Sequence, residues 1–174
     1  HPACGFARSV IQAACAGTGM RVVDSVTTLM PVTVHRDETL TEAQRDENKR
    51  SVHAGWLRHF QNISRSMADG FYQSWDLHPN QLVARYAAVY AFFLTEMEAQ
   101  AARLRTFVGR ATQASLTGNT FDDAATAQGI VNFFRRGLDC AAFSAEEIKK
   151  MTGVNAEDLS KSFAEIAGGS RRKR

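Results

Sequence analysis

The sequence predicts an α/β chain that is predominantly helical. Helical periodicity covers most of its length, and two short apolar runs, residues 20–26 and 71–77, interrupt it. A helix-length segment separates the runs, as in a βαβ crossover that makes the two strands parallel. Two parallel strands bury too little apolar surface by themselves, so the pattern reads as part of a larger α/β domain.

Each element has its own signal. Phe6, Val10, Ile11 and Ala14 recur at helical spacing, which predicts a first helix over about residues 3–16, ended by Gly17 and Gly19. Met20, Arg21, Val22, Val23, Asp24, Ser25 and Val26 predict a short buried strand with Asp24 near its carboxyl end. Residues 27–39 carry Pro31 and mixed polarity and read as a loop. Two overlapping capping boxes, Thr39 with Glu42 and Thr41 with Gln44, open the next helix. Val52, Trp56, Phe60, Ile63 and Met67 form its apolar stripe, with Trp56 expected in the core. Its other face is charged: Arg45, Asp46, Glu47, Lys49 and Arg50. Gly70 closes it, and residues 71–77 predict the second strand.

Leu82, Tyr86, Val89, Phe93, Met97, Ala101, Leu104 and Val108 then mark a helix of about 30 residues, roughly 45 Å long. Beyond Gly118, Asn119 or Thr120 caps a helix to about Arg136, with Ile130, Phe133 and Phe134 buried. Ser144 and Glu147 box a short helix that Gly153 ends. Asn155 caps a last one, with Leu159, Phe163 and Ile166 on one face. Residues 1–117 therefore read as the α/β part, 118–167 as a helical extension and 168–174 as a disordered basic tail.

Composition narrows the function. With 174 residues, 44% hydrophobic and 22% charged, the chain has the balance of a soluble domain with a real core. No apolar run approaches the ~20 residues that span a bilayer. The amino end lacks the basic-then-apolar pattern of a secretory signal, and no initiator Met is present, which suggests a fragment or a processed chain. The net charge of +3 is matched by four basic residues at the extreme end, Arg171, Arg172, Lys173 and Arg174. A general nucleic-acid surface is not expected from this. Cys4, Cys15 and Cys140 are odd in number and lack C-x-x-C spacing, which points to a reducing, cytoplasmic compartment.

One run is specific: Gly70, Phe71, Tyr72, Gln73, Ser74, Trp75, Asp76, Leu77, His78, Pro79, Asn80, Gln81 and Leu82. It resembles the closing strand of the HpcH/HpaI aldolase, citrate lyase beta-subunit and malyl-CoA lyase superfamily, which often reads G-F-x-G-K-x-x-I-H-P-x-Q-I. Gly70, Phe71, His78, Pro79, Gln81 and Leu82 match; Ser74 stands where Gly is usual and Trp75 where Lys is usual. The run Val22, Val23, Asp24, Ser25, Val26, Thr27, Thr28, Leu29, Met30, Pro31 and Val32 resembles the preceding strand of a bacterial branch that reads L-S-D-G-A-T-T and then L-P-V. The resemblance covers about the first 95 residues.

It implies the carboxyl-terminal portion of a (β/α)8 TIM barrel, holding the last two parallel strands and extra C-terminal helices. The activity it implies is metal-dependent carbon–carbon cleavage or aldol addition through an enolate. The substrate would be a keto acid or an acyl-coenzyme A thioester, and magnesium would be held by ligands outside this chain. The fragment alone would then be inactive and bind divalent metal poorly. Its partners would be the remainder of the barrel and further copies of the parent chain.

The candidate substrate-binding residues are Asp24, Ser25 and His78, at the carboxyl ends of the predicted strands where barrel sites form. Asp24 reads either as a substrate contact or as a turn-capping carboxylate beside Ser25. His78 reads as part of the site wall, as an acid or base, or as the residue that shapes the turn before Pro79. Trp75 is expected beside His78. His53, Trp56 and His59 lack the spacing of a metal pair. The alternative reading is a small helical interaction or helix-turn-helix DNA-binding module over residues 144–167. Against it, the second helix would carry Glu157, Asp158 and Glu165, which repel phosphates.

Overall fold

The structure, a computed structural model, describes residues 2–72, 74–117, 124–163 and 165–166, with the backbone only for 114–117 and 124. Five α-helices are seen among them: α1 Pro2–Cys15, α2 Glu42–Ala68, α3 Leu82–Thr117, α4 Ala124–Asp139 and α5 Ala145–Thr152. Two 3-10 turns, Pro79–Gln81 and Ala156–Ser160, complete the order. The chain forms two compact units, His1–Phe92 and Phe93–Arg174.

The α/β expectation, with its barrel and parallel strand pair, is overturned. Residues 20–26 and the described part of 71–77 run without helical structure, but no strand or sheet forms among the described residues; Val23 carries a single isolated bridge. Side chains answer part of this backbone instead. The Ser25 N–H donates to Asp24 Oδ1 at 2.8 Å, and the Leu77 N–H donates to Gln81 Oε1 at 2.8 Å. Two such segments lack the neighbours that make a ladder cooperative, so side-chain bonds take over.

In the first unit, α2 is the element to which the rest is tied. Thr41 opens it with a complete capping box: its hydroxyl accepts from the Gln44 N–H, and Gln44 Oε1 accepts from the Thr41 N–H at 2.9 Å. At the other end Gly70 sits at φ +85°, where a side chain would be strained. The buried face of α2 runs through Asn48, Gly55, His59, Ile63, Ser66 and Met67. Trp56 is therefore only half-buried, contrary to expectation, and Val52 and Phe60 flank the core with it. The buried face keeps Ile63 and Met67 of the apolar stripe but is turned from it toward Gly55 and His59, by about half the 100° that separates successive residues. The polar residues on the observed face make hydrogen bonds that the apolar ones could not.

Those bonds shape the loop between α1 and α2. Asn48 Oδ1 accepts from the N–H groups of Val34 and His35, both at 2.8 Å, and Asn48 Nδ2 donates to the His35 carbonyl at 2.9 Å. Ser51 Oγ donates to the Val32 carbonyl at 2.9 Å. The loop passes so close to the helix that a Cβ on Gly55 would lie 2.7 Å from the Pro31 backbone. The first helix forms as expected, but Phe6, Val10 and Ile11 stand exposed. What fixes it is polar: Gln12 Nε2 donates to the Asp69 carbonyl at 2.6 Å, and Arg8 reaches two aspartates.

The second unit has a conventional apolar core. Phe93 of α3 lies 5.1 Å, centroid to centroid, from Phe133 of α4, and Phe134 lies 5.6 Å from Phe143. Leu104, Val131, Phe134, Ile148 and Leu159 are fully buried. Ser144 caps α5 with the box the sequence predicts. The last predicted helix is broken: it starts as the 3-10 turn Ala156–Ser160, to which Asn155 makes no side-chain cap bond, and α-helical residues resume at Phe163. The proposed caps Asn119 and Thr120 and the basic tail lie outside the described residues.

The two glycine environments make opposite demands. Gly55→Ala is expected to lower stability by about 1–3 kcal/mol, because the new methyl meets backbone that cannot swing aside. Gly129→Ala in α4, where a Cβ would enter open space, is expected to raise it by about 0.5–1 kcal/mol. Urea unfolding of both variants checks the pair; equal effects would show that the loop does not press on α2.

Candidate functional site

The most concentrated polar chemistry lies where α2 meets residues 24–31 and 74–81. His59 is 1% exposed and has a partner on each ring nitrogen. Its Nε2 is 2.7 Å from Asp76 Oδ1, and its Nδ1 is 2.8 Å from Thr27 Oγ1. Arg85, in the first turn of α3, sends Nε to both Asp76 oxygens at 2.8 and 2.6 Å, and Nη2 to Ser74 Oγ at 3.2 Å. Asn62 Nδ2 donates to Thr27 Oγ1 at 3.0 Å. Gln81, fully buried, donates from Nε2 to the Thr27 carbonyl at 2.9 Å.

Charge fixes the direction of each bond. Burial opposes ionisation of Asp76, but the Arg85 guanidinium and the His59 bond outweigh it and hold the carboxyl below its usual range. Asp76 is thus a carboxylate that only accepts. Burial also pushes His59 below the ordinary histidine range, against the pull of Asp76, so the ring is neutral at neutral pH. Its one proton must then sit on Nε2, facing Asp76. Nδ1 accepts from the Thr27 hydroxyl, which in turn accepts from Asn62. Every donor in the chain has an acceptor.

A hydroxyl, an imidazole and a carboxylate in line resemble a nucleophile triad. Here Thr27 is 4% exposed and the histidine is sealed beneath it, so no substrate carbonyl can approach the hydroxyl. The arrangement is a structural brace that fixes residues 74–78.

The three sequence-predicted site residues fall in different settings. Asp24 accepts from the Ser66 hydroxyl and the Ser25 N–H, and Arg8 Nη2 stands 2.7 Å from it as an ion pair. The same Arg8 lies 3.1 Å from Asp69 through Nη1 and stacks over the Phe71 ring at 4.8 Å. Ser25 is exposed and meets Asp24 through its backbone. His78 caps the Pro79–Gln81 turn, its Nδ1 accepting from the Asn80 N–H at 3.1 Å. The turn is fixed from the other side by Trp56, whose indole N–H donates to the Asn80 carbonyl at 2.8 Å, and by Asn80 Nδ2, which donates to the Pro31 carbonyl at 3.1 Å. Because Nδ1 of His78 accepts, the neutral ring carries its proton on Nε2 as a donor. Trp75, three residues before it, is 66% exposed.

The residues present do not suit a divalent cation. Asp24 accepts from the Ser66 hydroxyl and the Ser25 N–H and is ion-paired with Arg8, Asp76 accepts from Arg85 and His59, and a metal would have to displace an arginine from each. Among the described residues no group of three His, Cys, Asp or Glu side chains is arranged to hold a metal ion. No helix among them is long and apolar enough to cross a membrane.

The domain family described as a domain of unknown function, DUF6986, matches residues 1–166. The chain belongs to that family. No curated protein and no solved structure matches it. The family match thus spans both compact units, and every polar group described above lies within it.

The sequence reading missed His59, Asp76, Arg85 and Thr27. A signal was present: Asp76 breaks an apolar run, and Arg85 interrupts a helix of small and aromatic residues. A charged residue at each of two apolar positions suggests a pair. His59 gave a subtler sign: it stands four residues before Ile63 and eight before Met67, which puts it beside the apolar stripe.

The enclosure of Asp24 predicts a structural phenotype for its removal. Asp24→Asn leaves the Arg8 charge poorly compensated and should cost about 1–3 kcal/mol in urea unfolding. A variant as stable as the parent would show that the Arg8 pair contributes nothing to the fold.

Proposed function

We propose that this chain supplies the substrate-binding wall around His78 in a metal-dependent carbon–carbon lyase or aldolase. The substrate is a keto acid or an acyl-coenzyme A thioester that reacts through its enolate. The resemblance of residues 70–82 and 22–32 to the aldolase, citrate lyase beta-subunit and malyl-CoA lyase superfamily supports this reading. The observation that carries it is the state of His78. Its Nδ1 is consumed in capping the Pro79–Gln81 turn, so its Nε2–H is the donor left for an oxygen that gains charge. A donor aimed at a developing enolate oxygen stabilises the transition state more than the ground state. Trp75 and Leu77, both largely exposed, give the same segment an apolar surface against which a thioester or alkyl chain can lie.

A divalent metal, when bound, would polarise the carbonyl; its ligands belong to segments other than those described here. Asp24 enters the reading as the anchor of residues 22–26 to α1 and α2, not as a group that touches substrate. The reading is of a cytoplasmic enzyme that assembles from several copies. Its free thiols, Cys4, Cys15 and Cys140, accord with a reducing compartment.

The test uses the natural full-length protein with magnesium, following deuterium exchange into the methyl groups of pyruvate and of acetyl-coenzyme A. His78→Asn keeps a side chain that can cap the turn. It is expected to retain the parent's melting temperature and to lower kcat/KM by about ten-fold or more, equivalent to about 1.4 kcal/mol. Exchange of neither probe by the parent, or full activity in His78→Asn, would overturn the reading.

A further inference from the structure

The brace around His59 has a property that the proposed chemistry does not use. Its bonding pattern is complete only when the ring is neutral. Thr27 Oγ1 accepts from Asn62 and donates to Nδ1. A second ring proton would occupy that nitrogen and turn the Thr27 hydroxyl away from it, into a site with no other acceptor described. The charged ring would also be 1% exposed, with almost none of its surface open to solvent.

The surroundings do not rescue the charge. The helix that carries His59 presents Asn62 to the site, the loop presents Thr27, residues 74–78 present Asp76, and α3 presents Arg85. Asp76 favours the proton and Arg85 opposes it. Arg85 Nε donates to both Asp76 oxygens and offsets part of the carboxylate's pull, and burial of the ring outweighs what remains. The least costly way to hydrate a protonated His59 is to open the site. The first elements to leave are those held to α2 through it, Thr27 and residues 74–78.

We propose that His59 is an acid-released latch: while neutral it ties Thr27 and Asp76 to α2, and its protonation frees residues 74–78 from the helix. The sign follows from linkage. A histidine that takes its proton less readily when folded makes the unfolded or opened form the better proton binder. The bound arrangement therefore loses stability as pH falls below the ordinary histidine range. The second unit contains none of these groups and holds its aromatic core unchanged through the same range. Residues 74–78 also carry His78, so the latch would set the pH window in which that residue is held in place.

Hydrogen exchange read by NMR tests the latch on this chain, using protection factors corrected for the intrinsic rate. The reporter is the Leu77 N–H, which donates to the buried Gln81 side chain; the reference is the Val131 N–H inside α4. Between about pH 7.5 and about pH 5, Leu77 protection is expected to fall about ten-fold or more while Val131 protection holds. The fall should share its midpoint with the titration of the His59 ring, should persist in His78→Asn and should vanish in His59→Gln. A flat Leu77 profile, a parallel loss at Val131, a midpoint apart from that of His59, or loss of the effect in His78→Asn would each overturn the proposal. If His59→Gln does not fold, the comparison of midpoints in the parent chain decides the matter alone.

Discussion

The hydrogen bond between His59 and Asp76 is the interaction on which the first unit depends most. It joins the middle of α2 to a segment with little regular structure of its own. Asp76 then recruits Arg85 from the start of α3, and Thr27 binds the other side of the same ring. Four stretches of chain that share no sheet meet at one imidazole. Gln81 adds a second crossing, from the Pro79–Gln81 turn to the Thr27 carbonyl. An apolar residue at position 59 could fill the space, but it would leave Asp76 and Thr27 without partners. An unmet buried polar group costs about 1–3 kcal/mol.

The two units solve the same problem differently. In the second, four phenylalanines cluster so that each ring lies within 6 Å, centroid to centroid, of at least two others. Such a core tolerates changes of polarity poorly but has no preferred proton count. In the first, the buried surface of α2 includes Asn48, His59 and Ser66, each spent on a loop or an extended segment. Polar cores of this kind specify position more sharply than apolar ones, because a bond has direction. They also depend on protonation, which the phenylalanine cluster does not.

The helices were legible in the sequence where their signals are local. Thr41 and Ser144 form the boxes their spacing predicts, and Phe133 and Phe134 are buried on the expected face of α4. The two strands that the sequence suggests do not form among the described residues. Residues 20–26 and 71–77 have β-branched and aromatic side chains, but propensity forms a sheet only where neighbouring strands accept the hydrogen bonds. The buried face of α2 was misjudged because the stripe was drawn through hydrophobic residues alone. Trp56 lies at its edge and uses its indole N–H on Asn80, while His59 fills the centre. Of the candidate site, His78 could be read from the motif; the enclosure of Asp24 by Arg8 could not, since the two are distant in sequence and join through tertiary packing.

The account assigns a proton to one atom, and that assignment can be measured. Long-range nitrogen–proton correlation spectra of the imidazole ring at neutral pH distinguish the two neutral tautomers from the cation. The predicted spectrum for His59 has a protonated Nε2 directed at Asp76 and a bare Nδ1 that accepts from Thr27. A proton on Nδ1, or a doubly protonated ring at neutral pH, would contradict the direction of every bond in the brace.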